Sequence, residues 1–202
     1  MNSIYSAKLV RGKIKNRNFA LIFAAIILVM AVLACTINIG GPDYPAPAIP
    51  VSTEAVGEMQ SFMETSVAAG ESSGQIVLTF TESQLTSYLN SRLLAQPNPL
   101  VTNPQVYLRD GQIMMYATFK KNIFTATARI ILNAGVDEQG KLKIELVSAD
   151  FGPLPTPNGL KEIISSAIQE AYTGALGPVA TGFRIQSVTI ADGTMTIVGQ
   201  IK

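Results

Sequence analysis

The chain has 202 residues, 48% of them hydrophobic and only 14% charged, so it predicts one modest domain with an anchor and excludes long polar disordered tracts. Residues 1–18 hold five bases and no acid, which leaves a net charge of about −4 for the rest and argues against nucleic-acid binding. With no histidine and one cysteine, the chain cannot build a Ser-His-Asp device, a His-ligated metal site, a thiolate cluster or an internal disulfide. We therefore expect no cofactor and no metal.

An uninterrupted apolar run, FALIFAAIILVMAVLA, occupies residues 19–34 and follows the basic residues 1–18. Extended to residue 39, it reaches the ~20 residues that a membrane span needs, and the bases before it predict a cytoplasmic N-terminus. The sequence therefore predicts a transmembrane or signal segment over residues 19–39, with the folded part on the extracytoplasmic face of the cell membrane. A buried helix of a soluble core is a further alternative.

The run closes on Val32, Leu33, Ala34 and Cys35, a sequence that resembles a bacterial lipoprotein signal. Leu33 departs from that signal, because the position is usually occupied by a small residue. Two interpretations stay open: cleavage before Cys35 with lipid attachment to Cys35, or an uncleaved membrane helix.

A proline-rich segment, residues 40–51, comes next. Its four prolines favour extended backbone, and they predict a semi-rigid linker that lifts the folded part off the bilayer. The folded extracytoplasmic domain is then expected to span residues 52–202.

Two amphipathic helices with a strand between them open this domain. Ser52 is the expected N-cap of the first helix, and Gly70 is its expected C-cap. The strand-like run QIVLTF precedes Thr81 and Gln84, which predict a capping box for the second helix. The apolar stripe of that helix comprises Leu85, Tyr88, Leu89 and Leu93.

Strands with one apolar face follow. Two-residue hairpin turns are predicted at Asp110-Gly111 and Asp192-Gly193. One strand presents Phe124, Ala126, Ala128, Ile130 and Leu132 on the same face.

A third helical stripe lies between the last two pairs of strands. Its members are Leu160, Ile163, Ile164, Ala167, Ile168, Ala171 and Tyr172. The sum favours an α+β fold: a curved antiparallel sheet of five to seven strands, packed against two or three amphipathic helices and preceded by an N-terminal membrane helix.

The sequence offers no catalytic motif in the structural context that its chemistry requires. Residues 70–74 match the G-x-S-x-G pattern of hydrolases, yet they precede a strand instead of following one, and no histidine can act as the base. We interpret them as a polar loop. Asp110 and Asp192 are explained by turn chemistry. A non-enzymatic protein is therefore expected, with a hydrolase as the weakest interpretation.

The stretches LTFTESQLTSYLNSRL, VYLRDGQIMMYATF and VSADFGPLPTPNGLKEIIS, in this order, resemble the membrane-anchored, extracytoplasmic YpmS-like proteins. More distantly they are similar to the LmeA-like phospholipid-binding proteins. The resemblance covers about residues 75–202 and rests on pattern. It implies a half module of the tubular lipid-binding kind, a curled sheet around a helix, and lipid binding at the cell envelope.

The apolar residues predict a ligand groove between the concave face of the sheet and the third helix. The candidate groove residues are Leu85, Tyr88, Leu89, Phe124, Leu160, Ile163, Ile164, Ile168 and Tyr172. The expected function is non-catalytic binding of a lipid or another apolar ligand. The alternative is an interaction module of an envelope protein complex, with a closed core and no small-molecule ligand.

Overall fold

The computed structural model describes residues 21–28, 37–97, 99–121, 123–153 and 183–201. Residues 21–28 are helical, and a separate compact unit begins at Asn38. Within these ranges, no helix combines the length and the apolar character needed to cross a bilayer. Cys35 and the predicted third helix at residues 160–172 lie outside the described residues.

The described residues form eight strands in two antiparallel sheets. The larger sheet has the order β1-β5-β4-β3, with β6 also paired to β5: β1 Ile37–Asn38, β3 Val101–Arg109, β4 Gln112–Lys121, β5 Phe124–Val136 and β6 Leu142–Asp150. The smaller sheet has the order β2-β8-β7: β2 Gln75–Thr81, β7 Phe183–Ala191 and β8 Thr194–Ile201. The strands build a strongly curled half-barrel. The α+β class and the curved antiparallel sheet are confirmed, and the five strands of the larger sheet fall within the expected number; the second sheet of three strands was not predicted.

Helix α1 (Thr53–Ser73) begins where the sequence predicts and ends later. The Ser52 hydroxyl accepts a hydrogen bond from the backbone N–H of Ala55 (3.0 Å), as an N-cap does. The predicted C-cap at Gly70 is wrong, because the left-handed residue that ends the helix is Gly74, with φ of 74°. A Cβ at Gly70 would overlap a side chain of β2, so packing explains this glycine.

Helix α2 (Glu82–Leu94) carries the predicted capping box and covers the edge of β3. Its Glu82 carboxylate accepts from the N–H of Leu108 (2.8 Å), and its Thr86 hydroxyl accepts from the N–H of Val106 (2.9 Å). Glu82 and Thr86 are four residues apart, a rise of ~6 Å along a helix, and Leu108 and Val106 are two residues apart, ~7 Å along a strand, so the two hydrogen bonds form together. Because the later helix residue meets the earlier strand residue, α2 runs antiparallel to β3. The next outward-facing N–H position on this edge is occupied by Pro104, which has no N–H that needs a partner.

A single apolar cluster joins the two helices to the inward faces of both sheets. The predicted alternation on the strands accounts for it, because every second residue points inward. Its buried members are Met59, Met63, Ile76, Leu78, Phe80, Val106, Leu108, Ile113, Leu132, Phe183, Ile185, Ile190, Met195 and Ile197.

Residues 44–50, which we call the strap, pack against the outer face of β3 and β4. Buried Ile49 contacts Tyr107 and Tyr116 in a second apolar cluster. The Gln105 side chain accepts from the N–H of Ile49 (2.6 Å) and donates to its carbonyl (3.1 Å). This part of the expected linker is therefore no free spacer, because outward aromatic side chains offer it an apolar surface to bury.

The strap connects two opposite ends of the larger sheet. The chain reaches the sheet where β5 begins: the N–H of Ile39 donates to the carbonyl of Thr125 (2.9 Å), and the N–H of Thr127 donates to that of Gly40 (3.0 Å). We call this end, with the β4–β5 turn, the near end. We call the opposite end, with the Asp-Gly turns, the far end. The strap finishes there, where the Ser83 hydroxyl donates to the carbonyl of Pro50 (3.2 Å).

Candidate functional site

A groove of about 750 Å³ opens at the far end of the domain. The strap forms one wall, and the start of α2 with the two Asp-Gly turns forms the other. Small-molecule sites commonly measure ~300–1,000 Å³, so the volume suits a ligand or an extended segment of a partner. The groove is therefore a candidate site that lies outside the core.

The two Asp-Gly turns share one conformation, and this conformation shapes the groove. Asp110 and Asp192 have φ of 51° and 49°, and the glycine after each has φ of 75°. Positive φ at both central residues is the hairpin geometry that Asp-Gly favours, so both predicted turns are confirmed. The N–H of Gly193 donates to the carbonyl of Leu108 (3.3 Å), which brings the second turn beside β3.

Glu82 and Arg109 form an ion pair in the groove wall. The glutamate side chain is 15% exposed and the arginine side chain 48%. Since the same carboxylate accepts from the N–H of Leu108, the pair fastens α2 to β3. Together with Asp110 and Asp192, the lining holds three carboxylates and one guanidinium, a net charge of −2 that favours a cationic group.

The apolar wall of the groove rests on Tyr107. Its ring lies edge-on to Tyr116, with centroids 5.7 Å apart, and its hydroxyl donates to the carbonyl of Pro45 (2.9 Å). Burial raises the pKa of Tyr107, and the negative charge of Glu82 raises it further. Burial likewise raises the pKa of Tyr44. Both hydroxyls therefore stay protonated and hold the strap as hydrogen-bond donors.

The G-x-S-x-G sequence has a structural explanation. Residues 70–73 form the last turn of α1 and Gly74 caps it, so the expected loop is a helix end. The Ser72 hydroxyl donates to the carbonyl of Ala69 (2.9 Å). No group of three or more acidic or cysteine side chains placed to hold a metal occurs in the described part of the chain.

The structure brings three of the predicted ligand-groove residues together. Leu85, Tyr88 and Leu89 lie on α2, half-buried against the main apolar cluster. Phe124 does not join them: it lies at the near end and is 40% exposed. The remaining predicted site residues lie outside the described residues: Cys35, Leu160, Ile163, Ile164, Ile168 and Tyr172.

Sequence reasoning missed the residues that hold the strap. Tyr107, Met114 and Tyr116 point outward, on the face expected to be solvated. Their size and apolar character on that face are a signal that something covers it. The signal becomes readable only when β3 and β4 are paired, because Gln105 lies opposite Tyr116 and Tyr107 opposite Met114.

No family model, no curated protein and no solved structure matches the chain. The resemblance to the YpmS-like and LmeA-like proteins therefore stays a prediction.

Proposed function

We propose that this chain is a membrane-anchored extracytoplasmic domain of the bacterial cell envelope that binds a lipid or another apolar ligand and catalyses no reaction. One observation carries the proposal: the curled sheet presents an apolar concave face. Along β5, the inward residues run from Ala126 to Val136 without a polar side chain. An acyl chain laid on such a face gains ~0.8 kcal/mol for each CH₂ buried.

The half of the concave face toward the near end supports a ligand position. Helices α1 and α2 pack against the other half. In the near half, Ala117 lies opposite Ala128, and Phe119 contacts Phe151 edge-on at 5.3 Å. Ala126, Ala128 and Phe151 are buried in this half, so a bound acyl chain would lie against small side chains beside aromatic rings, between this face and the predicted helix at residues 160–172.

Native mass spectrometry of the full chain, purified in detergent from its own membranes, tests the proposal. We expect a co-purifying lipid mass. Ala128→Leu should remove this mass by filling the concave face, and Asn133→Leu, on the outward face of the same strand, should retain it.

If the face binds no lipid, the wild type should show only the mass of the protein, with no lipid added. Ala128→Leu should then overpack a closed core and lower the free energy of unfolding by about 1–3 kcal/mol. That pair of results would refute lipid binding.

The groove at the far end favours a second candidate, an interaction module of an envelope protein complex. Its proline wall and net charge of −2 suit an extended partner segment with a basic side chain. A photo-crosslinking residue at Met114, inside the groove, tests this in cells, with Val147 on β6, which is 49% exposed, as the control position. One defined protein adduct at Met114 and none at Val147 would support the module. Equal labelling at both positions would refute it.

A further inference from the structure

Four large apolar side chains lie exposed at or beside the near end. The exposed fractions are 69% for Leu94, 65% for Leu100, 45% for Ile123 and 40% for Phe124. The N–H of Lys120 donates to the carbonyl of Leu100 (2.8 Å), which joins the α2–β3 loop to the end of β4. Leu94 ends α2, whose antiparallel course along β3 brings it to the same end. We call these four residues the rim.

The charge around the rim is mainly positive. Residues 91–103 and 117–128 contain three bases, Arg92, Lys120 and Lys121, and no acid, whereas residues 37–43, which reach the same end, contain one acid, Asp43. The far end instead carries the carboxylates of the groove. Because β4 has ten residues at ~3.4 Å each, these two charge groups are separated by about 30 Å. Bases near an anionic bilayer are attracted to it and carboxylates are repelled, so this separation favours an orientation with the near end toward such a surface.

The covalent path from the predicted anchor also leads to the near end. Ile39 and Gly40 are hydrogen-bonded to β5 beside Phe124. Few residues separate Cys35 from Ile39, so even a fully extended chain spans only ~14 Å between them. The strap adds no slack, since it is packed on the sheet beyond this point. Under either anchor interpretation, the near end is therefore held close to the bilayer.

We propose that the rim is a membrane-contacting surface whose apolar side chains enter the interfacial layer of an anionic lipid bilayer. Strands β4 and β5 then stand away from the membrane, and the groove faces away from it. Apolar side chains at such surfaces reach ~5–10 Å into the boundary between headgroups and acyl chains. The inference rests on the predicted N-terminal anchor of the proposed function, and it does not depend on ligand binding.

Single-tryptophan variants test the proposal directly, because the chain contains no tryptophan. Phe124→Trp reports on the rim. Phe62→Trp is its matched control: it is also a phenylalanine, it is also 40% exposed, and it lies on α1. The full chain is reconstituted into vesicles of one part phosphatidylglycerol to three parts phosphatidylcholine with brominated acyl chains.

We expect brominated lipid to quench Phe124→Trp at least about two-fold more than Phe62→Trp, and dissolved acrylamide to quench the two in the opposite order. Ile123→Trp, compared with Val77→Trp at closely matched exposures of 45% and 46%, repeats the measurement with another pair. Equal lipid quenching within both pairs would overturn the rim while leaving the anchor intact. Failure of the full chain to sediment with vesicles would overturn both, and the co-purified lipid mass would still decide ligand binding.

Discussion

Replacing Gln105 with alanine should release the strap from the sheet. The side chain of Gln105 makes two hydrogen bonds to the backbone of Ile49, at 2.6 and 3.1 Å, and Ile49 is only 8% exposed. At about 1 kcal/mol for each bond, the loss is about 2 kcal/mol. Since 1.4 kcal/mol corresponds to about a factor of ten, the opening equilibrium of the strap should increase by about 30-fold.

Hydrogen exchange of the peptide that contains Ile49, followed by mass spectrometry on the full chain in detergent, measures this opening. The control is Gln112→Ala, which removes an exposed side-chain bond to Asn133 (3.1 Å) on the same sheet. In the control, the free energy of strap opening, as measured by hydrogen exchange, should change by less than ~0.5 kcal/mol. Equal exchange of the strap in Gln105→Ala and Gln112→Ala would refute the argument that Gln105 holds the strap.

Three further predictions concern the helix glycines, the edge of β3 and alkaline pH. Gly70→Ala should lower the free energy of unfolding by about 1–3 kcal/mol, because the added Cβ overlaps a β2 side chain. Gly57→Ala, on the same helix but with open space around it, should raise the free energy of unfolding by up to about 1 kcal/mol. Similar urea midpoints for the two variants would contradict this explanation. Glu82→Ala should lower the free energy of unfolding by about 1–3 kcal/mol, because it leaves the buried N–H of Leu108 without an acceptor. Glu82→Gln keeps an acceptor oxygen, so its free energy of unfolding should lie closer to the wild-type value in the same urea assay. The folded-state pKa of Tyr107 is raised above 10.0, so its contribution to wild-type stability should be complete below pH 10 and should be lost as the pH rises through the folded pKa. Tyr107→Phe should therefore lose less free energy of unfolding than the wild type over that pH range. Superimposable plots of unfolding free energy against alkaline pH for the two proteins would contradict the assignment.

Much of the fold could be predicted because its signals act over a few residues. The capping box at Thr81 and Gln84 and the left-handed Asp-Gly pairs are such local signals. Gly70 misled the prediction of the helix end for the opposite reason: its role depends on β2, which packs against the helix from outside. A glycine required by a tertiary contact has the same appearance in sequence as a glycine that ends a helix.

The candidate site was less accessible to prediction because its parts come from distant segments. Proline content correctly favours an extended strap, but it does not say which surface the strap contacts. The groove exists only when the strap, the start of α2 and both turns meet, and none of these segments carries a local signal of a binding site. Leu85, Tyr88 and Leu89 were readable as an apolar stripe, since helical spacing alone reveals it.

The pairing of β2 with β8 has a consequence for the order of folding. Thr79 on β2 and Thr196 on β8 are neighbours in the smaller sheet but lie 117 positions apart in the sequence. By contrast, α2, β3, β4 and β5 are consecutive along the chain and contact one another, so their loop-closure entropy is small. The α2–β5 unit can therefore form before the C-terminal residues have been synthesised. Among the described residues, β2 is hydrogen-bonded along β8 alone, so the smaller sheet forms only once residues 194–200 are available.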